Sequence, residues 1–163
     1  MRFPVRLGLG VALGVAAADW LSKYVILNII NLPERRTIPI LPFFDLTMVW
    51  NRGVSFGMLQ ADAFAGRIAL IGFTLAVTAV VMVWLWRNHD ILSAIALGGI
   101  LGGALGNIHD RLIYGAVADF FDFHLMGYHW YVFNVADAAI SIGVILLLIR
   151  NFRPEEKVNE ADK

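Results

Sequence analysis

The sequence has no cysteine, few charges and no Lys/Arg-rich stretch. Without cysteine there are no disulfides, no thiolate metal sites, no cysteine nucleophile and no lipidation of the chain's own thiol. Without a basic cluster, and with 13 basic against 13 acidic side chains for a formal net charge of zero, nothing draws the chain toward nucleic acid. The signature of a zinc hydrolase is also missing. His89, His109, His124 and His129 have no His-Glu-x-x-His spacing, and no Glu stands between Arg35 and Arg153, which disfavours a zinc intramembrane protease and leaves no expected metal site. Ser22, Ser93 and Ser141 lie in no Gly-x-Ser-x-Gly elbow; Gly53-Val54-Ser55-Phe56-Gly57 has that spacing, but residues 54–59 read as strand and not as the strand-to-helix turn the elbow needs.

What is present is apolar. Of the 163 residues 59% are hydrophobic and 16% charged, against about 45–50% and about 25% in a soluble domain. The charges lie between long uncharged runs, so lipid is the solvent for most of the chain. A bilayer-crossing helix takes roughly 20 residues, and four spans are expected, at about 7–30, 68–86, 91–108 and 130–149. Residues 68–86 are uncharged, with Arg67 and Arg87 at the ends and Trp84 and Trp86 at interfacial depth. The next span carries Gly98, Gly102 and Gly106 at four-residue spacing, with Gly99 and Gly103 offset by one. Such rows let helix backbones approach closely in lipid. The start of the chain, with Arg2, Arg6, an apolar run at 7–18 and Ala16-Ala17-Ala18, imitates a cleavable signal. Apolarity resumes at 24–30, however, so one helix spans if Asp19 and Lys23 neutralise each other at i,i+4.

Four spans put both termini on one side. That side carries Arg2, Arg6, Arg87, Arg150, Arg153, Lys157 and Lys163, and the other carries Arg35, Arg36, Arg52, Arg67 and Arg111, which favours cytoplasmic termini. The expected organisation is a single integral-membrane domain over 1–163, with outer segments at 31–66 and 109–129 and a polar tail at 154–163. In the first outer segment Pro33, Pro39 and Pro42 break helix; residues 43–50 and 54–59 read as strands around Asn51-Arg52-Gly53, and 117–125 as a third. The fold class is thus an all-α membrane core with a small β element on the outer side and short interfacial segments.

Ionisable and amide groups in lipid-facing spans are expensive and are usually functional. Four groups stand out: Asp19 with Lys23, Asn107 with Arg111, Asn134 with Asp137, and Asp119 in the outer segment. Two carboxylates sharing a proton in a poorly solvated pocket can activate water. Spacing does not select which pair among Asp110, Asp119, Asp122 and Asp137 does so. An ion-coupled transporter would also bury such acids, but the sequence has no internal repeat. A membrane adaptor would use the glycine rows and outer aromatics alone.

Five blocks, in order, resemble one family: Asp19-Trp20-Leu21-Ser22-Lys23; Asn51-Arg52-Gly53-Val54-Ser55-Phe56-Gly57; Gly102-Gly103-Ala104-Leu105-Gly106-Asn107-Ile108-His109-Asp110-Arg111; Val117-Ala118-Asp119-Phe120; and Phe133-Asn134-Val135-Ala136-Asp137. Together they resemble the bacterial lipoprotein signal peptidases (signal peptidase II). The resemblance implies a four-helix inner-membrane aspartyl endopeptidase that needs no cofactor. It would remove the signal peptide immediately before the diacylglyceryl-modified cysteine of a prolipoprotein. It places the catalytic dyad on Asp119 and Asp137, and the other motif positions on Asn51, Gly53, Asn107, Arg111, Asn134 and Ala136, with Asp19 and Lys23 as support. It further implies contact with membrane lipids, inhibition by globomycin-type cyclic peptides, a monomer and a site near the periplasmic face.

Overall fold

The computed structural model describes residues 2–53 and 64–152. In chain order it contains α1 (Phe3–Tyr24), α2 (Leu32–Arg35), β1 (Thr37–Leu41), β2 (Phe44–Asn51), α3 (Phe64–Arg87), α4 (Ile91–Ile113), β3 (Val117–Leu125), β4 (Tyr128–His129) and α5 (Val135–Phe152). Among the described residues, four stretches are long and apolar enough to cross a membrane: Phe3–Ile29, Gly66–Arg87, Ile91–Ile113 and Val135–Phe152. The fold class is the expected one, four spanning helices and a small antiparallel sheet.

The boundaries differ from expectation in instructive ways. α1 begins at Phe3, with Pro4 in its first turn, where a missing N–H leaves no bond unmade. It continues as a π-helical segment, Val25–Ile29, closed by Ile30 N–H on the Val25 carbonyl at 2.9 Å. α4 runs five residues past the expected end to Ile113, because Asn107, Asp110 and Arg111 turn into protein rather than lipid and are all buried. α5 starts at Val135 rather than 130. Upstream of it, the Phe133 backbone pairs with β3, giving its carbonyl to the N–H groups of Phe120 (3.1 Å) and Phe121 (2.8 Å), so helix cannot begin before Asn134. β1 was not expected, since its Pro39 reads as a breaker; it is an edge strand, where a residue without N–H is tolerated. The expected strand at 54–59 and the polar tail at 154–163 lie outside the described residues.

α4 is the central helix. About 67% of its spanning window is buried, against 22%, 22% and 11% for α1, α3 and α5. Its two glycine rows serve two different partners. A Cβ on Gly98 or Gly102 would strike the carbonyls of Gly8 or Ala12 on α1, whereas one on Gly103 would stand 2.5 Å from the Ala136 carbonyl on α5. Backbone contact this close requires glycine. At one end, Arg2 Nη1 meets His89 Nε2 at 2.6 Å and Arg150 Nε meets Asp90 Oδ2 at 3.3 Å, which ties the start of α1, the α3–α4 turn and the end of α5 together.

The sheet caps the opposite end in the order β1-β2-β3-β4, every pair antiparallel. Under it Ile26, Leu32 and Phe120 form a buried cluster with Ile38, Leu46, Met48 and Phe121 packed around them. This cluster anchors β3, and β3 carries Asp119.

Candidate active site

Strand register does the first part of the assembly. β2 pairs with β3 so that Val49 lies opposite Asp119 and Asn51 opposite Val117. Asn51 is therefore the same-face diagonal neighbour of Asp119, and its Nδ2 donates to Asp119 Oδ2 at 3.0 Å. The same amide nitrogen reaches the Tyr131 hydroxyl, while Asn51 Oδ1 accepts from Gly53 N–H at 3.1 Å and closes the turn after β2.

The end of α5 does the second part. Asn134 is its N-cap, with Oδ1 accepting the Asp137 N–H at 2.9 Å. That bond fixes which end of the amide is oxygen, so Nδ2 is the donor to Asp119 Oδ1 at 2.6 Å and to Asn107 Oδ1 at 3.2 Å. Asn107 in turn donates Nδ2 to Asp137 Oδ1 at 2.8 Å. A chain of amides therefore joins Asp119 to Asp137, although they sit on a strand and a helix with no local link. Asp119 and Asn134 are fully buried.

Burial pushes the Asp119 carboxyl up from 3.8 to about 7, and the neighbouring Asp137 charge adds to the rise. The hydrogen bonds from Asn51 and Asn134 and the charge of Lys23 pull the other way without cancelling it. Arg111 is buried rather than snorkelling, and donates to the carbonyls of Gly53 at 3.0 Å and Asn107 at 3.3 Å. Its Nε has no hydrogen-bond partner among the described residues.

Space adjoins these groups. A cavity of about 190 Å³ is lined by Asn51, Asn107, Arg111, Val117, Asp137, Ile140 and Ser141. A second, of about 400 Å³, lies on the other flank of Asp137 against Trp130, Tyr131, Phe133 and Ile142. A third, of about 170 Å³ and mostly apolar, descends between α3 and α4 from Asn107 and Arg111 to Phe73 and Val81. Asp137 thus borders open space, and Asp119 stands behind Asn51.

The other two acids are committed elsewhere. Asp122 meets His129 Nδ1 at 3.0 Å. Asp110 binds Lys23 Nζ at 2.7 Å, and Lys23 also binds Asp19 at 2.7 Å, so the expected pair is a triad. Asp19 Oδ1 accepts the Ala136 N–H at 2.9 Å, and Asp110 Oδ2 the Ala118 N–H at 3.1 Å. The sequence reading missed the Asp110 link and Tyr131. A buried ammonium with three donors and one visible carboxylate was the signal for the first; nothing local marks Tyr131.

The structure defines a multi-pass membrane protein with a buried carboxylate at one end of its helices, joined through amides to a second. The family model for signal peptidase (SPase) II matches residues 11–153. The lipoprotein signal peptidase of Methylocella silvestris is 47% identical over 145 residues, 89% of this chain and 85% of that protein. That of Methylobacterium sp. strain 4-46 is 41% identical over 158 residues, 97% of this chain and 96% of that protein. A solved bacterial membrane enzyme superposes with a TM-score of 0.78 at 26% identity, covering 96% of this chain and 92% of the other. The chain belongs to the signal peptidase II family, and so is a multi-pass peptidase of the bacterial inner membrane.

Proposed function

We propose that the protein is an aspartyl endopeptidase that cuts a prolipoprotein immediately N-terminal to its diacylglyceryl-modified cysteine, with Asp119 and Asp137 as the dyad. The observation that carries this reading is the fully buried Asp119 carboxyl, joined to Asp137 through Asn134 and Asn107; burial pushes that carboxyl up to about 7. The nearby Asp137 charge disfavours ionisation of Asp119, so Asp119 is the proton-holding member of the pair. The ionised carboxylate takes a proton from water, and the hydroxide attacks the scissile carbonyl carbon. The protonated carboxyl polarises the carbonyl oxygen. When the tetrahedral intermediate collapses, a proton passes to the leaving nitrogen of the cysteine.

Asn51, Asn107 and Asn134 orient the two carboxyl groups. Arg111, which lines two of the cavities, positions the substrate backbone together with the Gly53 turn, and Ala136 supplies a small neighbour to the dyad. Asp19 and Lys23 brace the site. The substrate's acyl chains stay in membrane lipid beside the site. The site would also take globomycin-type cyclic peptides. The basic-residue bias puts the termini in the cytoplasm and the sheet and dyad at the periplasmic face, and one chain holds every group the mechanism uses, so a monomer suffices.

The test is mass spectrometry of the products after a diacylglyceryl-modified prolipoprotein is incubated with the purified protein and a chelator. The reading predicts a mature product beginning at the lipidated cysteine. A cut elsewhere, or loss of cleavage on chelation, would contradict it.

A further inference from the structure

We infer that the buried Asp19–Lys23–Asp110 triad is a positioning device, setting the separation of the two dyad carboxyls by gripping the peptide N–H of the residue before each. The inference rests on the dyad reading above and extends it to Asp110, a residue outside that mechanism.

The geometry is paired. Asp110 Oδ2 accepts from Ala118 N–H at 3.1 Å, directly before Asp119; Asp19 Oδ1 accepts from Ala136 N–H at 2.9 Å, directly before Asp137. Lys23 Nζ, 2.7 Å from both acids, locks the two grips to each other. The three side chains are at most 4% exposed. Burying three charges is a poor means of packing helices, since removing ions from water offsets most of their attraction. It is also unnecessary here, because the glycine rows already join α4 to α1 and α5. What the ions add is two fixed acceptors. The Ala136 N–H belongs to the first turn of α5, where no intrahelical partner exists; the Asn134 cap takes the next donor, that of Asp137. Asp119 and Asp137 stand on separate elements, so their spacing depends on how β3 hangs against α5. The triad, rooted in α1 and α4, clips both.

Gly106 supports the assignment. Its neighbours in the glycine row meet backbone carbonyls, but a Cβ on Gly106 would run into the Asp19 carboxylate itself. The row is shaped around that side chain at this level.

The charged groups around Asp119 are Asp137 from α5, Lys23 and Asp19 from α1, and Asp110 and Arg111 from α4, with the Tyr131 hydroxyl beside them. Lys23 is a cation whose charge favours ionised Asp119, which gives the triad an electrostatic readout as well as a geometric one.

The experiment measures kcat, KM and the pH profile of prolipoprotein cleavage by the full chain in detergent, for Asp110→Ala, Asp110→Asn and Lys23→Gln. Asp110→Ala releases the Ala118 N–H, and kcat is expected to fall about 100-fold, as for a misplacement near 1 Å, with KM unchanged. Asp110→Asn keeps an oxygen acceptor and is expected to recover about tenfold of that loss. Should Asp110→Ala fail to fold, Lys23→Gln decides: it keeps two donors but no charge, so the alkaline limb of the profile is expected to rise. Wild-type kcat in folded Asp110→Ala, equal losses in the Ala and Asn variants, or an unmoved limb in Lys23→Gln would each overturn the inference. Asp119→Asn and Asp137→Asn run alongside. Cleavage surviving in either removes the dyad reading itself, whereas an inactive pair with full-rate Asp110→Ala removes only the positioning role.

Discussion

Replacing Asn134 by Ser separates two jobs that this side chain performs at once. Serine is also a good N-cap, so the bond now made from Asp137 N–H to Asn134 Oδ1 at 2.9 Å can be retained. The 2.6 Å bond from Asn134 Nδ2 to Asp119 Oδ1 is lost. A hydrogen bond to a charged group contributes about 1.5–3 kcal/mol, and Asp119 is fully buried, so water does not replace it. Losing a donor to the ionised form raises the carboxyl further. At about 1.4 kcal/mol per pH unit, the alkaline limb of the pH–rate profile should move up by about one to two units from its starting point near 7. The stability deficit of Asn134→Ser should be larger above that limb than below it, because only the ionised carboxyl uses the lost donor fully. Asn134→Ala should lose about 1 kcal/mol more at all pH values, the contribution of the cap. Cleavage rates and thermal unfolding across pH 5–9 read both effects. An alkaline limb in folded Asn134→Ser that coincides with wild type would refute the reasoning.

Three further outcomes follow from the same geometry. The folded-state Asp119 carboxyl lies above its unfolded value of 3.8, at about 7, so the folded state holds the proton that the unfolded state releases, and stability falls as pH rises through that window. Its ceiling is about 4 kcal/mol; thermal unfolding should show lower Tm at pH 8 than at pH 5, and Asp119→Asn should flatten that slope. Gly106→Ala should abolish cleavage and lower Tm by displacing the Asp19 carboxylate, whereas Gly10→Ala, with nothing within 4 Å of its new methyl, should leave cleavage intact. At the opposite end, Asp90 caps α4 through Ser93 N–H at 2.8 Å, and that bond holds its carboxyl below the usual range. Asp90→Ala should lower stability by about 1 kcal/mol at neutral pH, with the difference vanishing as acid protonates Asp90 in the parent and with kcat unchanged.

The four spans were legible because a predominantly apolar run of about 20 residues has few fates other than a lipid-crossing helix. The double glycine row was legible as close packing, though not that its halves face different helices. β1 was hidden because Pro39 signals a break wherever the sheet edge is not yet known. The true start of α5 was hidden because Phe133 is apolar enough to read as span, and only its pairing with β3 stops the helix there. The candidate site was legible as residue types but not as a constellation. Asp19 with Lys23, and Asn107 with Arg111, are linked by helical spacing. Asp119 and Asp137 are brought together by strand register, an N-cap and an interhelical amide bond, none of which leaves a local spacing. Motif resemblance selected that pair where spacing left Asp110 and Asp122 open; the structure pairs Asp110 with Lys23 and Asp122 with His129.

The central claim is that Asp119 and Asp137 together hydrolyse the peptide bond. The most direct measurement is the rate of diacylglyceryl-prolipoprotein cleavage by purified, folded wild type, Asp119→Asn and Asp137→Asn side by side, with folding checked by thermal unfolding. The account predicts cleavage by the wild type and loss of at least about 10⁴-fold in each variant, the scale on which removing a member of a catalytic unit acts. A folded Asp119→Asn or Asp137→Asn protein that still cleaves at a rate near wild type would contradict it.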